Sequence, residues 1–189
     1  MNKEIWIDLE TTGTNEIQNG ITQISGAILL DNKLQEKFNY RLQPFPGDKI
    51  ETKALEVQGI TKADLKTYDY PLDTKVHFTN LLKRYVDQFN KKDKFHFFAY
   101  NAQFDNRFLR QFFYKCSDKY YGSFFFFPPL DVMNLAAFHL QKERSKLPNF
   151  QLMTVAKHLG IKIDESKAHD AFYDIEVTNL IYKKLTNAE

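Results

Sequence analysis

Asp8 and Glu10 stand two residues apart at the end of a segment in which Ile5, Ile7 and Leu9 alternate with Trp6, Asp8 and Glu10. Period-two alternation is the pattern of a strand, so both acids point to one face with Cα atoms roughly 6.5–7 Å apart. Two hard oxygen donors so placed can share a pair of divalent cations about 3.5–4 Å apart, the arrangement used for in-line attack on phosphorus. Two acids on a solvated strand face are also commonplace. The context is more telling, because these acids close an apolar strand at its C-terminal end, where open α/β sheets place ligands.

Two further acids belong to predicted helices. Asp105 falls in a first turn, on the face shared with Leu109, Phe112 and Cys116, where its ordinary use would be to offset the helix dipole. Asp174 lies at the edge of the stripe Ala171, Ile175, Thr178, Tyr182 and Leu185. A part-buried carboxylate there needs a partner, and a metal would supply one. His169 precedes Asp174 by five residues and has the intrinsic pKa to take a proton near neutral pH. Four acids and one histidine from separate elements are harder to dismiss together than singly.

The elements that must position them follow from periodicity and punctuation. After the first strand, which ends at Thr11-Thr-Gly13, strands are predicted at Ile21–Leu30 and Lys37–Leu42 around an Asp31-Asn-Lys33 turn, giving an antiparallel meander. Val76, Leu81, Leu82, Tyr85, Val86 and Phe89 predict a helix from Asp73 to near Lys91, and Phe95–Tyr100 a strand. A helix over 103–116, a short strand at Ser123–Phe127 stopped by Pro128-Pro129, and a helix over Asp131–Gln141 capped by Asp131 come next. Helices at Gln151–Leu159, ended by Gly160, and from Asp170 to Leu185 complete the chain. This order predicts an α/β fold with a mixed five-stranded sheet flanked by helices, in one domain spanning residues 1–189.

Composition bounds the rest. A chain of 189 residues that is 43% hydrophobic and 26% charged can bury a sizeable core and is not a disordered polyampholyte. Its 26 basic against 24 acidic residues leave a net charge of only +2, so any polyanion must be held locally and not by a basic coat. One cysteine, Cys116, excludes an internal disulfide and a thiolate zinc cage. No apolar run reaches membrane-span length and no secretory signal is evident, so a cytoplasmic protein is expected. Eighteen Phe and ten Tyr can fill a core or stack on bases.

Ile7-Asp-Leu-Glu-Thr-Thr-Gly13, Tyr100-Asn-Ala-Gln-Phe-Asp105 and His169-Asp-Ala-Phe-Tyr-Asp174 resemble, in order and spacing, the three motifs of the DEDDh (DnaQ-like) family of 3′-to-5′ exonucleases. Val57-Gln-Gly-Ile-Thr61 and Leu159-Gly-Ile161 extend the resemblance over nearly the whole chain. It implies a ribonuclease H-like sheet and two Mg²⁺ or Mn²⁺ ions. Asp8, Glu10 and Asp174 would bind one ion, Asp8 would bridge to a second whose water shell Asp105 helps hold, and His169 would be the general base. The sister subgroup would need tyrosine where Asp170 stands. Two departures are Tyr100 and Gln58, which replace histidines common in relatives.

The implied substrate is the 3′ end of single-stranded DNA or RNA, released as nucleoside monophosphates, with a DNA polymerase as partner of some members. Thr11 and Thr12 are candidates to offer backbone N–H groups and a hydroxyl to the terminal nucleotide, Val57 and Gln58 to contact its base, and Phe104 to stack beside it, although core packing is the simpler role for Phe104. Lys142, Arg144 and Lys146 are candidate phosphate contacts or a solvated charge run. The competing readings are a noncatalytic nucleic-acid-binding or scaffold protein on the same fold, and an endonuclease of ribonuclease H type.

Overall fold

The alternating N-terminal segment forms strand β1 (Lys3–Thr11), followed by β2 (Ile21–Leu30) and β3 (Lys33–Arg41) in the computed structural model, which describes residues 1–164, 166 and 170–187. β1 and β2 pair antiparallel, as do β2 and β3. The turn between β2 and β3 is made by Asp31 and Asn32 with φ of 47° and 63°, a left-handed pair that short polar side chains tolerate and that matches strand twist. Helices α1 (Thr52–Gln58), α2 (Lys62–Leu65) and α3 (Pro71–Lys83) lead to β4 (His96–Ala99). Then come α4 (Ala102–Lys115), β5 (Leu130–Asp131), α5 (Val132–His139), α6 (Leu152–His158) and α7 (Ala171–Thr186). Sheet order is β3-β2-β1-β4-β5, with β4 parallel to β1 and β5 parallel to β4. The expected mixed five-stranded sheet with an antiparallel meander is therefore present.

Strand parity sorts the sheet into two chemically different faces. Ile5, Ile7 and Leu9 of β1 share a face with Ile24 and Ile28 of β2, and pack with Phe78, Phe97, Leu109 and Phe113 under α3 and α4. Trp6 faces the other way, stacked on Phe98 at 4.3 Å and covered by Val132, Ala136, Val155, Val177 and Ile181 of α5, α6 and α7. Asp8 and Glu10 continue that second face past the end of its apolar cover.

Four elements depart from expectation. Ser123–Phe127 is not a strand: Tyr121–Ser123 form a 3₁₀ turn, and one bridge joins Phe95 to Phe125. Pro128 and Pro129 lack the N–H groups that would continue pairing, so β5 forms only after them. The third helix ends at Lys83, not near Lys91; Val86 is buried from a turn beyond it, whereas Phe89 is 86% exposed. α1 and α2 were not predicted. The Thr61-x-x-Asp64 capping box that starts α2 is nevertheless readable in the sequence. The Asp131 cap and the left-handed Gly160 at φ 71° stand where expected or one residue from it, and Asp170, expected to begin the last helix, instead caps it. Among the described residues, no helix is long and apolar enough to cross a membrane.

Candidate active site

Parallel pairing of β1 with β4 covers Glu4–Trp6 only, so beyond Trp6 that edge of β1 has no strand partner. The chain leaving β4 turns through Asn101, at φ 67°, directly into α4, and this turn brings the first-turn acid back to the open edge. There Asp105 Oδ1 accepts the Leu9 N–H at 3.1 Å. A helix side chain thus replaces the missing ladder bond between the two strand acids. Asp105 is 4% exposed, as its shared face with Leu109 and Phe112 requires.

The acids reach one another electrostatically. Burial, then Glu10, then Asp174 push the Asp8 carboxyl up to about 8. Burial, then Asp174, push Glu10 up to about 7. Burial and then Asp8 raise Asp105 well above the carboxylate range, against the lowering effect of the Leu9 N–H, and Asp131 adds a further repulsion. Acids 97 positions and more apart in sequence therefore join one cluster, and among the described residues no basic side chain moderates Asp8 or Glu10. Asp131 joins its margin while its carboxylate caps α5 by accepting the Asn134 N–H at 3.0 Å.

Charge of one sign held out of water is costly unless protons or cations offset it. Carboxylate oxygens are the donors that hard divalent cations prefer, and the set contains no thiolate. The donor chemistry fits Mg²⁺ or Mn²⁺. Among the described residues, no three His, Cys, Asp or Glu side chains already stand in a metal-holding group, so an ion would have to draw these carboxylates inward. His169 lies outside the described residues.

Two cavities open beside the cluster. One, of about 150 Å³, is polar and is lined by Glu10, Gln23, Asn39, Arg41, Gln58 and Tyr68 together with the start of α7. The other, of about 630 Å³ and largely apolar, is lined by Asp174, Tyr100, Asn101, Met133, Phe150 and Met153. Sequence reasoning missed Gln23, Asn39 and Arg41. Their signal was strand parity, since Gln23 faces Glu10 in the β1–β2 register and Arg41 faces Gln23 in the β2–β3 register.

The remaining candidates divide by how their polar groups are engaged. The Thr12 N–H donates to Gly20 O at 2.8 Å and its hydroxyl to Lys49 O at 2.7 Å, while the Thr11 hydroxyl donates to Gly13 O at 2.6 Å. These groups brace the turn after β1. Gln58 Nε2 donates to Thr11 O at 2.7 Å, and its Oε1 accepts from the Thr22 hydroxyl at 2.7 Å. Val57 is 55% exposed beside it. Phe104 packs on Phe108 at 4.7 Å and on the core. Tyr100 donates its hydroxyl to Phe150 O at 2.6 Å. Lys142, Arg144 and Lys146 lie in the 3₁₀ segment Gln141–Lys146, where Arg144 bonds Leu147 O and sits 5.1 Å over the Phe150 ring at the apolar cavity.

The RNase T family model, described as an exonuclease, matches residues 5–182. Ribonuclease T of Buchnera aphidicola subsp. Baizongia pistaciae is 28% identical over 189 residues, covering 96% of this chain and 82% of that protein. The PolC-type DNA polymerase III of Mycoplasmopsis pulmonis is 26% identical over 176 residues, 93% of this chain but 11% of the polymerase. E. coli Exonuclease I in complex with a dT13 oligonucleotide superposes with a TM-score of 0.77 at 20% identity, and its zinc-bound complex with single-stranded DNA with 0.78 at 20%. This chain spans 41% of each of those Exonuclease I chains. With a family match running through nearly all of its length, the chain belongs to the exonuclease family and is a DnaQ-like 3′-to-5′ exonuclease.

Proposed function

We propose that this chain is a single exonuclease domain that removes nucleoside monophosphates from the 3′ end of single-stranded DNA or RNA in the cytoplasm, using two divalent cations and a histidine base of the DEDDh type. The observation that carries the reading is that Asp8, Glu10, Asp105 and Asp174 gather at the end of β1, with Asp105 bonded to the Leu9 N–H between the two strand acids and Asp174 close enough to repel both of them. Relatives named for ribonuclease activity and a fold neighbour holding an oligonucleotide support the substrate class. The zinc-bound neighbour supports use of a divalent metal. The PolC-type relative supports operation beside a polymerase as one setting for the domain.

Asp8, Glu10, Asp105 and Asp174 would hold Mg²⁺ or Mn²⁺, which would supply positive charge to the scissile phosphate and to the leaving 3′ oxygen. The protein's own contribution is placement. β1 fixes Asp8 and Glu10 at one register, Asp105 locks to that register through Leu9, and α7 carries Asp174 over the same face. His169 adjoins Asp170, the cap of α7, and is assigned the proton from the attacking water. Thr11, Thr12, Val57, Gln58 and Phe104 would shape the terminal-nucleotide side of the site.

A 5′-labelled single strand incubated with Mg²⁺ or Mn²⁺ should shorten stepwise, stop with chelator, and persist with Asp8→Ala or His169→Ala. Binding without metal-dependent shortening would instead indicate a scaffold. Cutting of circular single strands would indicate an endonuclease.

A further inference from the structure

The polar cavity beside Glu10 contains a cation that the reading above does not use. On the catalytic face of the sheet, Glu10, Gln23 and Arg41 form one cross-strand row, and Asp8, Ser25 and Asn39 form the next. Facing residues in such rows lie about 4.5–5.5 Å apart, so Arg41 is two strands from Glu10, within reach of its long side chain. Among the described residues, Arg41 is the only basic one lining this cavity.

Its guanidinium has no acidic partner among the described residues and lies 5.7 Å from the Tyr68 ring centroid, which holds it against the cavity wall. A hydrogen-bond relay orients its neighbour. Gln23 Nε2 donates to Ser25 Oγ at 3.0 Å, and Ser25 Oγ donates to Asn39 Oδ1 at 3.2 Å. Because that relay occupies the Asn39 carbonyl, its amide N–H groups remain available as donors. Asp170 also lines the cavity, but its carboxylate accepts the Tyr173 N–H at 3.0 Å as the α7 cap.

We infer that Arg41 and Asn39 form a monophosphate-binding site beside Glu10, which receives the 5′-phosphate of the nucleotide as it leaves the acidic cluster. The inference rests on the exonuclease reading. Hydrolysis turns a diester with one charge into a monoester approaching two, and four carboxylates surround the point of departure. A planar guanidinium beside amide donors is the group that recognises such a phosphate, in preference to a base or a sugar.

Calorimetric titration of the Mg²⁺-loaded protein with thymidine and uridine 5′-monophosphates, and with thymidine and uridine themselves, tests this. Arg41→Ala should weaken monophosphate binding by about tenfold or more, the scale of a lost charge-assisted bond, and leave nucleoside binding unchanged. Product inhibition of strand shortening should weaken in parallel. Arg41→Lys, which keeps the charge but loses the fork, should fall between the two. Arg41 is exposed at the end of β3, so both variants should retain the wild-type melting temperature. Equal weakening of nucleoside and monophosphate, or no weakening, overturns the inference while wild-type shortening preserves the exonuclease reading. Absence of wild-type shortening overturns that reading instead.

Discussion

Asp105 accepts the backbone N–H of Leu9 at 3.1 Å, tying a first-turn helix acid to the residue between the two strand acids across 96 positions of sequence. The bond has two consequences that separate by substitution. Asp105→Asn keeps an acceptor for Leu9 and removes an acid whose ionised form the buried site disfavours, so the metal-free protein should unfold at the same or a higher denaturant concentration. Asp105→Ala leaves the Leu9 N–H buried without a partner and should cost about 1–3 kcal/mol. Both should reduce exonuclease turnover by at least the roughly 10–100-fold that follows loss of a group supporting a metal. Chemical denaturation in chelator and strand-shortening rates, measured on all three proteins, check this.

The acidic cluster should make metal-free stability fall as pH rises. The folded protein holds the Asp8 proton up to about 8 against an ordinary 3.8, and the Glu10 proton up to about 7 against 4.5. Between those limits the folded state binds more protons than the unfolded state, so stability declines from about pH 4 to pH 8 and levels off above it. In chelator the melting temperature should therefore be higher at pH 5.5 than at pH 8. Mn²⁺ should restore it at pH 8, and Asp8→Asn should flatten the chelated profile. A chelated melting temperature that rises over this range would contradict the buried, mutually repelling cluster.

Sequence revealed what periodicity and motif spacing encode, and missed what tertiary contacts decide. β2 was legible because Ile21, Ile24 and Ile28 lie in an apolar run closed by a polar turn, and the register then set the neighbours of Asp8 and Glu10. Phe124 and Phe125 are both buried, so their run reads as a strand, yet the two prolines limit it to a single bridge. Val86 extended the apparent α3 because burial from a turn leaves the same apolar signature as burial from a helix. At the site, the motif acids could be named from spacing. The engagement of Thr12 with Gly20 and Lys49, and the cavity formed by Gln23, Asn39 and Arg41, depend on loop closure and cross-strand pairing that no local pattern states.

Gln58 is engaged at both ends of its amide, by Thr11 O and by the Thr22 hydroxyl, so it braces the exit of β1 one residue beyond Glu10. Gln58→Leu keeps the bulk but strands both partners. Turnover should fall about tenfold, as for loss of a supporting hydrogen bond behind a ligand. Affinity for Mn²⁺, read by calorimetry, should fall with it. A change in KM alone, with metal affinity intact, would make Gln58 a substrate contact and not a brace.

Lys115 and Asp48 form a largely buried ion pair, with side-chain exposures of 17% and 7%, and Lys115 also donates to Asn19 O at 3.0 Å. Asn19, 1% exposed, donates through Nδ2 to Lys49 O at 2.9 Å, and Lys49 O also accepts the Thr12 hydroxyl. The pair therefore anchors, through one buried amide, the turn that follows Glu10. Lys115→Met alone leaves the Asp48 carboxylate buried and unpaired, which should cost about 3–5 kcal/mol, whereas Lys115→Met with Asp48→Leu should recover much of that because both desolvated charges are gone. Turnover should not recover in the double variant, since Asn19 still lacks the lysine that holds its carbonyl. Denaturation midpoints and strand-shortening rates for the two single variants and the double variant separate the roles. Recovery of activity together with stability would show that the pair supports the fold without positioning the site.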